Sequence, residues 1–141
     1  MEGIAAGLLA GMLMSITGEI GYRTGKIKSH LVIVDGLFAL RLLKKEESTP
    51  AIYVMGTLIH LATSVFFGVV YVVLVRLLEF DPLLLRAIAL YAAMLWAGML
   101  LVALPIAGQG MMGNKMGQFV WAEQIVLHLV YGLGFWWALR L

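Results

Sequence analysis

IYVMGTLIHLATSVFFGVVYVVLVRL, residues 52–77, holds one charged side chain, Arg76, in 26 positions. A helix of this length exceeds the roughly 30 Å hydrocarbon core of a bilayer and leaves residues over for tilt. No water-facing helix can bury so continuous an apolar surface, so this stretch predicts a membrane-spanning helix.

The rest of the chain agrees with it. Of 141 residues, 62% are hydrophobic and 13% charged, whereas soluble domains are near a quarter charged. Three further stretches are long enough to span: about 3–22, 83–104 and 118–139. The breakers fall between them. Thr49-Pro50 precedes the second span, Asp81-Pro82 separates the second from the third, and Pro105 with Gly108-Gln109-Gly110 ends the third. The fold expected is all-α: a single transmembrane domain over residues 1–141, built as a four-helix bundle. The opening segment has no basic n-region and no clear small-residue cleavage site, so it is read as a retained helix rather than a signal peptide.

Residues 29–45 fit neither a span nor a plain loop. Leu31-Val32-Ile33-Val34 and Leu37-Phe38-Ala39-Leu40 are apolar, Asp35-Gly36 interrupts them, and Arg41, Lys44 and Lys45 close the run. An interfacial or re-entrant helix is the expected compromise, with its basic end among lipid headgroups. The basic residues also set orientation. Seven of them (Arg23, Lys26, Lys28, Arg41, Lys44, Lys45, Lys115) fall on one side and three (Arg76, Arg86, Arg140) on the other. The positive-inside rule places segments 23–50 and 105–117 in the cytoplasm and both termini outside, in the inner (plasma) membrane of a bacterium or archaeon.

Small residues recur at helical spacing. Gly3, Gly7, Gly11 and Ser15 form one stripe, and Gly56, His60, Ser64 and Gly68 another; Gln124, His128 and Gly132 form a third. Such stripes let backbones approach closely, within the chain or at a seam with another subunit. Both intramembrane histidines, His60 and His128, therefore sit on faces turned toward other helices. They lie at matched depth on helices running the same way.

Four ionisable groups fall well inside spans: Glu19, His60, Glu123 and His128. Charged groups are costly there, which makes each a candidate functional residue. Their positions predict convergence in the inner half of the bundle, as a proton or polar network joined by Gln124. Three chemistries fit His60 and His128: axial ligation of haem b, a carboxylate–histidine metal site, and a proton path or quinone headgroup site. The metal site has poor spacing, because Glu123 and His128 are five residues apart, and no metal is expected. The plain alternative is a pair of interhelical hydrogen bonds. His30, in the cytoplasmic segment, is expected at the surface.

Other classes are excluded. With no cysteine, the chain has no disulfide, thiolate ligand or cysteine nucleophile. A net charge of +2 gives no basis for nucleic-acid binding. Gly108-x-Gly110-x-x-Gly113 matches a dinucleotide fingerprint in form only, since no strand precedes it. Met111, Met112 and Met116 are soft enough for copper(I), but methionine also fills apolar gaps. The four tryptophans suit an interfacial belt. There is no catalytic constellation, so no enzyme activity is expected of the chain alone.

Gly56, His60, Gly68 and Tyr71, then Trp96, Pro105, Gly108 and Gly110, then His128, Tyr131, Gly132 and Gly134 carry a resemblance. The chain resembles small bacterial four-helix integral membrane proteins with a domain of unknown function. In shape it is also similar to accessory subunits of respiratory oxidoreductases of the haem-copper oxidase and nitric oxide reductase types. That likeness implies a non-catalytic accessory subunit with other membrane subunits as partners. A subunit binding haem b or quinol, and a small oligomeric transporter or channel, are the alternatives.

Overall fold

The structure, a computed structural model, describes residues 2–141. It is all-helical, with no strand among the described residues. Five helices follow one another: α1 (Glu2–Arg23), α2 (Leu31–Leu42), α3 (Thr49–Leu77), α4 (Leu85–Ile106) and α5 (Val120–Ala138). Three of them, α1, α3 and α4, are long and apolar enough to cross a membrane. α5 occupies the fourth apolar stretch with 19 residues. Glu123, Gln124 and His128 lower its mean hydropathy.

α3 lies between α1 and α2; α1 also packs on α5, and α5 on α4. The small-residue stripes set these contacts. A β-carbon on Gly3 would strike the backbone of Gly68 and Val69. One on Gly7 would strike the Ser64 carbonyl, and one on Gly11 the Ser64 side chain. The stripe on α1 is thus filled by α3 of the same chain, with Ser15 half-buried beyond it. Gly36 and Gly56 do the same for α2 and α3, their missing side chains making room for the carbonyls of Ile52 and Val32. Gly132 faces Ala92 and Ile88 of α4. Close backbone approach of this kind is how helices associate where apolar burial gives no preference for protein over lipid.

α2 is 12 residues long, about 18 Å, and too short to cross a bilayer. Leu31, Val34, Asp35, Gly36, Ala39 and Leu40 are buried. Its second half ends near α3's start, where Arg41 Nε donates to Glu47 Oε1 at 2.7 Å. That guanidinium holds the exposed Glu47 carboxyl below the usual carboxylate range.

Four helices stop in the same way. The amide of the residue five beyond donates to a carbonyl of the last turn, and the residue before it takes a left-handed conformation, the Schellman arrangement. After α1 the pair is Lys26 N to Gly21 O at 2.9 Å with Gly25 at φ +72°. After α4 it is Gln109 N to Leu104 O at 2.9 Å with Gly108 at φ +76°. After α2 and α3 the left-handed residues are Lys44 and Glu79, at φ +52° and +56°.

α4 is not regular throughout. Residues Met99–Ala103 form a π-helical turn, in which the Leu104 amide donates to the Met99 carbonyl. Pro105 follows and offers no N–H to the preceding turn, a usual cause of such a local rearrangement. In its N-terminal half α4 is tied to α3 by Tyr91 Oη donating to the Phe67 carbonyl at 2.8 Å. Beside that bond α3 and α4, with α2 and α5, enclose a cavity.

Candidate functional site

The cavity has a volume of about 360 Å³ and lies between α3, α4, α2 and α5. Its walls are apolar: Phe38, Ile59, Phe67, Leu95, Met99 and Val102. Its polar groups are His60, Thr63 and Ser64 from α3, His128 and Tyr131 from α5, and Asp35 from α2. This composition, apolar walls with a few convergent polar atoms, is typical of small-molecule sites, as is the size.

His60 and Asp35 form the buried centre of the polar side. His60 Nδ1 is 3.0 Å from Asp35 Oδ2, and His60 Nε2 is 3.1 Å from the Gly11 carbonyl. A carbonyl oxygen only accepts, so Nε2 carries a hydrogen. Nδ1 and Oδ2 cannot both present lone pairs at 3.0 Å. One further hydrogen therefore lies between them, and the pair is neutral as a unit whichever atom holds it. A neutral, hydrogen-bonded pair is the form in which a carboxyl and an imidazole are tolerated in an apolar interior.

His128 differs. Its Nδ1 donates to the Gln124 carbonyl one turn back on α5, at 2.8 Å. That bond fixes the neutral tautomer and leaves the Nε2 lone pair for the cavity, which His128 lines. Tyr131 Oη donates to the Ser64 carbonyl at 2.9 Å, and Thr63 Oγ1 to the Ile59 carbonyl at 2.7 Å. Their hydrogens are thus turned away, and the cavity offers a ligand two acceptors, His128 Nε2 and the second oxygen of Asp35, beside the Ser64 hydroxyl, which can donate or accept.

The two histidines line one cavity, but the hydrogen bonds of His60 compete with ligation of a haem iron. Both ring nitrogens of His60 are engaged, and an iron would have to displace either Asp35 or the Gly11 carbonyl. The expected convergence of four ionisable groups also fails. Glu19 and Glu123 belong to a separate cluster around residues 23–30. Glu19 pairs with Arg23 Nε at 2.5 Å and with His30 Nε2 at 3.1 Å. Glu123 Oε2 accepts from Lys28 N, Ser29 N and Ser29 Oγ, at 3.0, 3.1 and 3.0 Å. Gln124 is fully buried beside it, its Nε2 donating to Ser29 Oγ at 3.1 Å. These groups pin the loop between α1 and α2 to α5 rather than extend the polar side of the cavity.

His30 is not at the surface. It caps α2, with Nδ1 accepting from Ile33 N, and its ring sits edge-on to Tyr22 and Tyr53. Among the methionines of the 111–116 loop, Met116 packs on the core while Met111 and Met112 are exposed. Two of the tryptophans act as struts: Trp96 Nε1 donates to the Trp121 carbonyl and Trp136 Nε1 to the Leu83 carbonyl, at 3.0 and 3.1 Å. The residue that sequence reasoning missed is Asp35. It is a single carboxylate in an apolar run, the same signal that singled out the histidines, but it lies in a segment set outside the spans.

No group of three or more metal-ligating His, Cys, Asp or Glu side chains occurs among the described residues. Comparison of the chain with protein families, with curated proteins and with solved structures finds no match, so the functional reading rests on the cavity and its polar side.

Proposed function

We propose that this chain is a four-span membrane protein that binds a lipophilic hydroxy-aromatic molecule of the quinol class in the cavity between α3 and α4. The carrying observation is His128, whose Nδ1 is held by the Gln124 carbonyl while its other nitrogen is left to a cavity with mostly apolar walls. A ring hydroxyl donates to that nitrogen, and a second polar contact reaches Asp35. The aromatic ring fits among Phe38, Phe67 and Met99, and an aliphatic tail leaves between α3 and α4 into the bilayer.

In this reading both termini lie outside and the loops 23–50 and 105–117 lie in the cytoplasm. Quinol binding also gives chemical content to a role beside a respiratory oxidoreductase. The purely structural subunit reading has less to support it, because the α1 glycine stripe that would seat a partner is already filled by α3. The channel reading is weakened in the same way, since its four polar groups divide into two clusters.

Titration of the purified protein in detergent with a short-tailed hydroquinone, followed by tryptophan fluorescence, tests the proposal. Saturable binding is expected, weakened about tenfold or more in His128→Leu, which is the loss of one hydrogen bond to a buried polar group. Equal affinity in the wild type and His128→Leu, with the helical spectrum unchanged, discards it. An optical spectrum of the same sample, without a Soret band, is expected.

A further inference from the structure

A second cavity, about 650 Å³, lies at the inner end of the groove between α1 and α5. Its construction begins at Gly25, whose left-handed backbone turns the chain back along the last turn of α1. Ile27 then buries against Gly21. Its neighbours Lys26 and Lys28 flank it on the exposed side, and both line the cavity. Neither ammonium has an acidic side chain within ion-pair distance among the described residues. Arg23, by contrast, is paired with Glu19. One carboxylate, Glu123, also lines the cavity, and one of its oxygens already accepts three hydrogen bonds from residues 28 and 29. The remaining wall is apolar and runs along the two helices: Ile20 from α1, Phe119 and Val126 from α5 and its entry.

Two free cations thus stand beside an apolar cleft, at the end of the first span where basic residues meet lipid headgroups. We infer that this groove binds an anionic glycerophospholipid. The headgroup phosphate sits between Lys26 and Lys28, and one acyl chain lies along Ile20, Phe119 and Val126. The charge complementarity selects an anionic lipid over a zwitterionic one, and the cleft selects a lipid over a free anion. The inference rests on the membrane-spanning reading and is independent of the ligand in the first cavity.

The test uses the full chain in phosphatidylcholine nanodiscs, titrated with phosphatidylglycerol of the same acyl chains, with retained lipid counted by native mass spectrometry. Preferential retention of phosphatidylglycerol is expected. The Lys26→Gln/Lys28→Gln variant should lose about 30-fold of that preference, as two cations near an anionic headgroup imply. Arg86→Gln, at the opposite end, should keep it. Val126→Trp, which fills the cleft and leaves both lysines, should also lose it, and serves alone where the double variant does not fold. Equal retention of the two lipids, or retention unchanged in both lysine and Val126 variants, overturns the inference. So does the discovery that inorganic phosphate stabilises the detergent-solubilised protein as much as the lipid does. A chain that fails to enter nanodiscs at all would instead refute the membrane reading on which the inference stands.

Discussion

At the scale of single residues, replacing Asp35 separates its shape from its proton. In Asp35→Asn the side-chain amide still donates to His60 Nδ1, while Nε2 keeps its bond to the Gly11 carbonyl. In Asp35→Ala the imidazole is left buried with an unmatched nitrogen. Asp35→Ala is expected to lose about 3–5 kcal/mol, the usual cost of removing one partner of a buried pair, and Asp35→Asn about 1 kcal/mol. Unfolding in mixed detergent micelles checks both values, and equal losses would show that the shared hydrogen has no special weight. The histidines were legible in the sequence because an ionisable side chain in an apolar run is rare. Their partners were not. Asp35 meets His60 only because α2 folds back on α3, and that depends on the close approach at Gly36 and Gly56. The places of Glu19 and Glu123 along their helices follow from the sequence, but position along a helix does not say which way a side chain turns. Both turn to the loop that ends at His30.

At the scale of elements, the shared helix ending gives opposite expectations at equivalent places. Gly25 occupies the left-handed position after α1 without strain, whereas Lys44 and Glu79 occupy it with a side chain. A left-handed L-residue costs roughly 1–2 kcal/mol, partly offset by the greater freedom of glycine when unfolded. Lys44→Gly and Glu79→Gly should therefore each raise stability by up to about 1 kcal/mol, and Gly25→Ala should lower it by a similar amount. Thermal unfolding of the three variants in one detergent decides the point. The glycine at α4's end was readable as a breaker, but nothing in the sequence marked Lys44 or Glu79 as helix-ending residues. Two further glycines contrast in the same manner. A β-carbon at Gly98 meets nothing within 4 Å, while one at Gly56 overlaps the Val32 carbonyl. Gly98→Ala should be neutral or stabilising by up to about 1 kcal/mol, from helix propensity. Gly56→Ala should destabilise, because α2 has to move away from α3. The same thermal measurement applies, and a stable Gly56→Ala would mean that the α2–α3 seam is looser than its geometry.

For the whole molecule, the lack of cysteine makes orientation directly measurable. Single cysteines at Glu46 and Asp81 should react with a membrane-impermeant maleimide from opposite sides, position 81 in intact cells and position 46 only after the membrane is opened. Labelling of both from outside would refute the proposed topology. The all-helical class and the places of the long helices followed from apolar length, because a bilayer allows few other solutions for such stretches. Which helix packs on which did not follow, since a small-residue stripe specifies a close neighbour without naming it. The sequence left open whether the α1 stripe serves this chain or another, and the distances from Gly3 and Gly7 to α3 decide it.

The π-helical turn at residues 99–103 amounts to one surplus residue in an otherwise continuous helix. A chain shortened by one residue there, at the exposed Leu101, would resume ordinary pairing with both flanks in their present register. The N-terminal half of α4 would keep its tyrosine contact to α3, and Leu104 onward would keep its seat against α2 and the turn at residues 111–113. What would change is the wall formed by Met99 and Val102, drawn in by the width of the lost residue. The width between α3 and α4 thus depends on a residue count as well as on the side chains that line it, and shortening this one turn is expected to resize the cavity.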